Sequence, residues 1–100
     1  MEALFRGDAG KSTYSEKLAV EKNAVLISED DWLAQLFPNQ IKTFDDYREH
    51  ANRLKPIVFA HVINILKTGT DVVMDFPANT VKQRKWFVEV AEAANATAQL

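Results

Sequence analysis

The apolar residues of this chain come in short runs separated by longer amphipathic stretches, and that alternation limits the fold more than any other feature. Ala3-Leu4-Phe5 is followed at once by a glycine-bounded turn, Gly7-Asp8-Ala9-Gly10. Ser12 to Lys22 reads as a helix, with Tyr14 and Leu18 one turn apart, Glu16, Lys17, Glu21 and Lys22 mostly on other faces, and Asn23 as its stop. Ala24-Val25-Leu26-Ile27 is continuous and half β-branched, the pattern of a strand buried on both faces. Ser28 or Asp30 is placed to cap a short helix carrying Trp32, Leu33, Leu36 and Phe37, which must end before Pro38.

Thr43 opens the longest helical stretch, with Asp45 and Asp46 in its first turn, where they suit the dipole. Its apolar stripe runs Tyr47, Ala51, Leu54, Val58, Val62, Ile65, Leu66, and Gly69 stops it. Pro56 in its middle predicts a kink or a break. Asp71–Phe76 is a second clear strand, and Asn79 or Thr80 starts a last helix to about Ala94, with Phe87, Val90, Ala91 and Ala94 on one face. Thr97–Leu100 has the pattern of a further strand's beginning. The order β-α-β-α-α-β-α implies an α/β fold: parallel strands joined by right-handed crossovers, with helices on both faces of the sheet. Three strands are expected, within one domain spanning residues 1–100.

Composition closes off several function classes. With 47% hydrophobic and 26% charged residues the chain is an ordinary folding sequence, not a disordered one. The absence of cysteine excludes a disulfide scaffold, an iron–sulfur cluster and a thiolate zinc site. A net charge of −2 gives no support for nucleic acid as the partner. The longest wholly apolar run is four residues, too short to cross a membrane. Arg6, Gly7 and Asp8 come too early for a signal peptide, so a cytoplasmic location is expected.

The turn after the first apolar run continues Gly10-Lys11-Ser12-Thr13, between a strand and a helix. A P-loop places its lysine and its magnesium-binding hydroxyl there. Glycine lets backbone N–H groups approach phosphate oxygens, and the helix start adds partial positive charge. Lysine reaches the outer phosphates, and the serine hydroxyl holds Mg²⁺. The full pattern wants a glycine six residues before the lysine, where this chain has Phe5; Gly7 lies only four before Lys11. Either the loop is two residues shorter, or its first half is altered. The alternative is that the tetrapeptide is simple helix-capping chemistry.

Further motifs accompany this turn: Leu26-Ile27-Ser28-Glu29-Asp30, then Val72-Val73-Met74-Asp75-Phe76-Pro77-Ala78-Asn79-Thr80, then Arg84-Lys85-Trp86-Phe87. Together they resemble the small P-loop kinases of the AAA-type group, which are related to zeta toxins, polynucleotide kinases and other small-molecule kinases. The resemblance runs from Met1 to Leu100 and is most specific in the Asp-Phe-Pro-Ala-Asn-Thr segment. It implies a three-layer parallel sheet of the P-loop NTPase kinase type and ATP-dependent phosphoryl transfer to a small-molecule hydroxyl, with ATP and Mg²⁺. Carried over by position, Lys11 and Ser12 match the phosphate lysine and the metal hydroxyl, and Gly7, Gly10 and Thr13 lie beside them in the loop. Asp30 matches the acid that binds or deprotonates the acceptor, and Asp75 the acid near the metal. Asn79, Thr80 and Arg84 match a polar segment near substrate and phosphates. Family members continue past the position of Leu100 with a strand, an arginine-bearing lid helix and a final strand, so the chain resembles the first two-thirds of the domain.

Each of these residues also has a plain structural reading. Asp30 could cap a helix, with Glu29 and Asp31 solvated, and Asp75 could be a turn acid before Pro77. His50 and His61 share no metal-ligand spacing with an acid and read as helix-face or packing residues. Lys82 and Lys85 read as a solvated face, with Trp32 and Trp86 in the core or at its edge. The rival to an enzyme is an inactive nucleotide-binding or self-associating fragment of such a kinase. If the first strand lacks its neighbours, its exposed edge would pair with a second copy.

Overall fold

A computed structural model describes residues 2–6 and 12–99, with side chains for 14–98. The elements run β1 (Glu2–Arg6), α1 (Ser12–Lys22), β2 (Val25–Ser28), α2 (Glu29–Leu36), α3 (Phe44–Lys67), β3 (Val72–Asp75), α4 (Val81–Ala93) and β4 (Thr97–Gln99). All pairings are parallel, and the sheet order is β2-β3-β1-β4. Among the described residues the sheet has four strands where the sequence predicts three. The three residues of β4 pair Glu2 with Thr97 and Leu4 with Gln99, so β1 is covered on both sides rather than exposed as an edge.

The three-layer expectation holds, and the alternation within β3 shows why. Val72 and Met74 join the larger core, with Ile27 and Leu33, the α3 stripe Ala51, Leu54, Val58, Val62 and Leu66, and Phe87, Val90 and Ala91 of α4. Val73, between them, points the other way onto Ala19, with Leu18, Ala24 and Leu26 beside it. Thus α1 covers one face, and α2, α3 and α4 cover the other. Burial on both faces belongs to β3, whose three apolar residues are wholly inaccessible. The Val25 side chain, in the edge strand β2, is 39% exposed.

Capping fixes the helix limits. Ser28 accepts from the Asp31 N–H at the start of α2. Thr43 and Asp46 form a capping box on α3, and Thr80 and Gln83 form one on α4. Asp46 also accepts from the Lys42 N–H, and these donated bonds hold its carboxyl below the usual range. Asn23 and Asn95 both take positive φ just past their helices. In each case the next amide bonds back across the turn, Ala24 to Ala19 and Ala96 to Ala91. The second of these turns delivers the chain to β4. Gly69, at φ +87°, ends α3 in the same left-handed conformation.

Helix α3 runs unbroken through Pro56. Proline removes the bond to the carbonyl of Asn52, an exposed residue whose carbonyl water can solvate. The buried stripe on both sides of Pro56 holds the two halves in one helix. Among the described residues, no helix is long and apolar enough to cross a membrane.

Candidate functional site

The strand order creates one crevice. From β1 the chain passes through α1 to β2, on one side of the sheet; from β3 it passes through α4 to β4, on the other. The connections therefore diverge between β1 and β3, with α1 and α4 on opposite faces. In open α/β sheets ligands sit at such a switch point, beyond the carboxyl ends of the strands. Those ends are in register: Arg6 of β1 pairs with Asp75 of β3, and Asp75 pairs with Ser28 of β2.

Asp75 thus occupies the carboxyl end of the strand that flanks the crevice, half-buried. Gly7, Gly10 and Lys11 lie outside the described residues. They belong to the connection that leaves Arg6, directly beside Asp75 in register, and enters α1 at Ser12. Ser12 and Thr13 form the first turn of α1, whose backbone alone is described. That turn carries no acidic residue, so nothing on it neutralises the positive end of the dipole.

Asp30 is exposed in the first turn of α2. It lines a cleft of about 500 Å³ with Leu33, Phe37, Asn39, Ile41 and Tyr47, between α2 and the start of α3. Ser28, not Asp30, caps the helix, so Asp30 has no capping role there. Arg84 is exposed in the first turn of α4 and donates to the Ala78 carbonyl at 3.2 Å, bracing the loop after β3.

Sequence reasoning missed the most unusual group. Glu29, expected to be solvated, is buried to 1% exposure. One carboxylate oxygen accepts from the Tyr47 hydroxyl of α3; the other, Oε2, is buried without a partner. Burial pushes its carboxyl above the usual range, against the Tyr47 bond and the nearby Lys55 charge, while Asp30 and Asp75 add repulsion. Glu29 therefore lies within electrostatic reach of both acids that the sequence singled out. Burial and the Glu29 carboxylate push the Tyr47 phenol upward too, so it stays protonated and donates. The same Tyr47 lines both the Asp30 cleft and a small cavity, which it shares with Glu29, Lys55, Gln83 and Trp86. The Lys55 ammonium stands over the Trp86 ring, 5.7 Å from its centroid. Glu29 precedes the buried Leu33 by one helical turn, the one sequence signal that places it inward.

His50 is half-buried and His61 lies exposed on the face of α3, within the helix-face or packing roles expected of them. The His50 ring meets Phe37 edge-on, with centroids 4.3 Å apart, and Nδ1 lies 2.7 Å from the Asp46 carbonyl. His61 packs against Trp32, with centroids 6.4 Å apart. Among the described residues no cluster of three or more His, Cys, Asp or Glu could hold a metal ion. A magnesium site at Ser12 and Asp75 would instead be completed by phosphate oxygens and water, as Mg²⁺ commonly is.

Comparison with known proteins bears on this geometry directly. A family described as AAA domain matches residues 9–100, which begin inside the connection between β1 and α1 and take in every later element. No curated protein and no solved structure matches the chain. A family match over nearly the whole length, joined to a parallel sheet with its crevice between β1 and β3, gives a P-loop NTPase type of fold and supports nucleotide binding: the chain belongs to the AAA domain family.

Proposed function

We propose that the chain is an ATP-dependent phosphotransferase acting on the hydroxyl of a small molecule. The observation that carries this reading is the alignment of Arg6, Ser28 and Asp75 at the carboxyl end of the sheet. It supports the reading by setting the end of β1, from which the Gly7–Lys11 connection leaves, in register with Asp75 and with the strand end that enters α2. Lys11 and the N–H groups around Gly7, Gly10, Ser12 and Thr13 would bind the phosphates of ATP. Ser12 and Asp75 would hold Mg²⁺, which supplies charge neutralisation on the transferred group. Arg84, at the start of α4, would add its charge beside the phosphates if it left the Ala78 carbonyl.

Asp30 is the acceptor's base in this reading. The acceptor oxygen forms a new bond to the γ-phosphorus, the bond from that phosphorus to the β–γ bridging oxygen breaks, and ADP leaves with the electron pair. The hydroxyl proton passes to Asp30, which the open cleft makes reachable. The chain's own work is positioning and charge placement, with no covalent intermediate.

Calorimetry with ATP, with and without Mg²⁺, on this chain and on Lys11→Ala tests the reading. Mg²⁺-dependent binding that Lys11→Ala loses is the expected result. Binding by neither protein would reject the enzyme and also the nucleotide-binding form of its rival, leaving only the self-associating chain. In that case the sheet edges available for pairing are β2 and β4.

A further inference from the structure

A second cleft also has Tyr47 in its lining. It measures about 190 Å³ and lies between the first half of α3 and the start of α4. Arg48, Lys55 and Lys82 line it, with Tyr47, Thr80 and Gln83 among its polar groups, and among the described residues no acidic side chain does. The chain holds 14 acidic and 12 basic residues, so three cations around one hollow without an acid run against its composition. Asp45 and Glu29 lie close by but outside the lining. Asp45 pairs with Arg48 at 3.0 Å in a highly exposed contact, which holds the guanidinium only weakly. Glu29 lies behind Lys55, in the small cavity that shares Tyr47, Lys55 and Gln83 with the cleft. Its carboxyl is already turned toward Tyr47, and its second oxygen has no partner. Lys55 is therefore not locked to it, and the cleft retains a positive field that concave, low-dielectric walls concentrate.

We propose that this cleft is an anion subsite for the acceptor, holding the phosphate group of a phosphorylated alcohol whose free hydroxyl reaches Asp30 past Tyr47. Arg48 and Lys82 meet the oxyanion from the rim, Lys55 from the base, and Thr80 and Gln83 offer hydroxyl and amide groups beside them. Phe44, 73% exposed at the mouth, gives the acceptor's carbon skeleton an apolar wall. This assignment rests on the phosphotransferase reading for the word acceptor, but the anion binding itself does not.

The test uses the Trp32→Phe chain, in which Trp86 remains as the one tryptophan of two. Because Lys55 stands over the Trp86 ring, an anion that draws on Lys55 alters Trp86 emission. Inorganic phosphate, glycerol phosphate and glycerol are titrated in turn. The expected result is saturable change with both phosphates and none with glycerol, retained in Lys11→Ala, and weakened about tenfold by Arg48→Gln or Lys82→Gln. Both altered residues are exposed, so circular dichroism is expected to leave the fold unchanged. Loss of the response in Lys11→Ala with no effect of the rim substitutions would assign the phosphate to the β1–α1 connection and overturn the proposal. A response to inorganic phosphate but not to glycerol phosphate would overturn the acceptor subsite. Failure of Mg²⁺–ATP binding with the phosphate response intact would count against the phosphotransferase and leave an anion cleft without that partner reaction.

Discussion

Glu29 carries a burden that depends on pH, and Glu29→Gln removes it. The carboxyl is raised above its ordinary 4.5 because burial outweighs the Tyr47 bond and Lys55, with Asp30 and Asp75 adding to burial. The folded chain thus binds this proton more tightly than the unfolded chain does. Stability from this group is full below about pH 4.5 and is lost as pH rises through the raised folded value. A buried oxygen without a partner costs about 1–3 kcal/mol, and more when charged. Against this, a hydrogen bond to a charged acceptor is worth about 1.5–3 kcal/mol and a neutral one about 0.5–1.5 kcal/mol, so Glu29→Gln weakens the Tyr47 bond by about 1 kcal/mol. The net expectation near pH 8 is that Glu29→Gln is more stable than the parent by about 1 kcal/mol, relative to the same comparison near pH 4. The amide N–H is itself buried, but that cost is the same at every pH and leaves the slope untouched.

Urea unfolding at several pH values, followed by circular dichroism, reads the slope directly. The parent's midpoint is expected to fall relative to Glu29→Gln as pH rises from about 4 to 8. Tyr47→Phe supplies the second half of the cycle. It strips the remaining partner from Glu29 and is expected to cost about 1.5–3 kcal/mol near pH 8, and clearly less in the Glu29→Gln background. A parent that gains on Glu29→Gln as pH rises would refute the reasoning. It would mean that Lys55 stabilises the carboxylate by more than burial costs it.

Three further outcomes follow from single features. Pro56→Ala restores a helical amide inside α3 at an exposed position and is expected to stabilise the chain by up to about 3 kcal/mol; a lower thermal midpoint would show that the core is shaped around the proline. Thr80→Ala removes one side of the capping box on α4 and is expected to cost about 1 kcal/mol in urea unfolding, with Gln83→Ala costing little more in that background because the two bonds act together. Asp30→Asn is expected to leave Mg²⁺–ATP affinity unchanged by calorimetry and to lower phosphoryl transfer at least about a hundredfold; weakened ATP binding would move Asp30 from the acceptor to the nucleotide.

The order of elements was legible because each apolar run and each cap sits where local physics requires it. Thr43, Thr80, Asn23 and Gly69 mark helix limits with side chains or backbone freedoms that act within one turn. Strand β4 was half legible: Thr97–Gln99 is too short to carry a pattern, and its pairing with β1 depends on the Asn95 turn returning the chain to the far side of the sheet. Of the kink or break expected at Pro56 the break is absent, because a local rule met a helix whose buried stripe on both sides outweighs one missing bond.

Glu29 is the instructive failure, because two sequence rules disagreed about it. Periodicity puts Glu29 on the face of Leu33 and Asp30 on the face of the exposed Ala34, which points Glu29 inward and Asp30 outward. Chemistry says that a carboxylate is solvated unless paired. Periodicity prevailed because a hydroxyl 18 residues away, on another helix, reaches across to one of its oxygens. No spacing within α2 encodes that partner. Nor does the pairing complete the site, since Oε2 stays unsatisfied in a wall shared with Lys55 and Gln83. A fold selected for stability alone would place an apolar residue there, as the neighbouring Leu33 and Phe87 positions do. The cost is borne at the carboxyl end of the sheet, between the Asp30 cleft and the cationic one, where an acid that orients Tyr47 fixes the one side chain common to both.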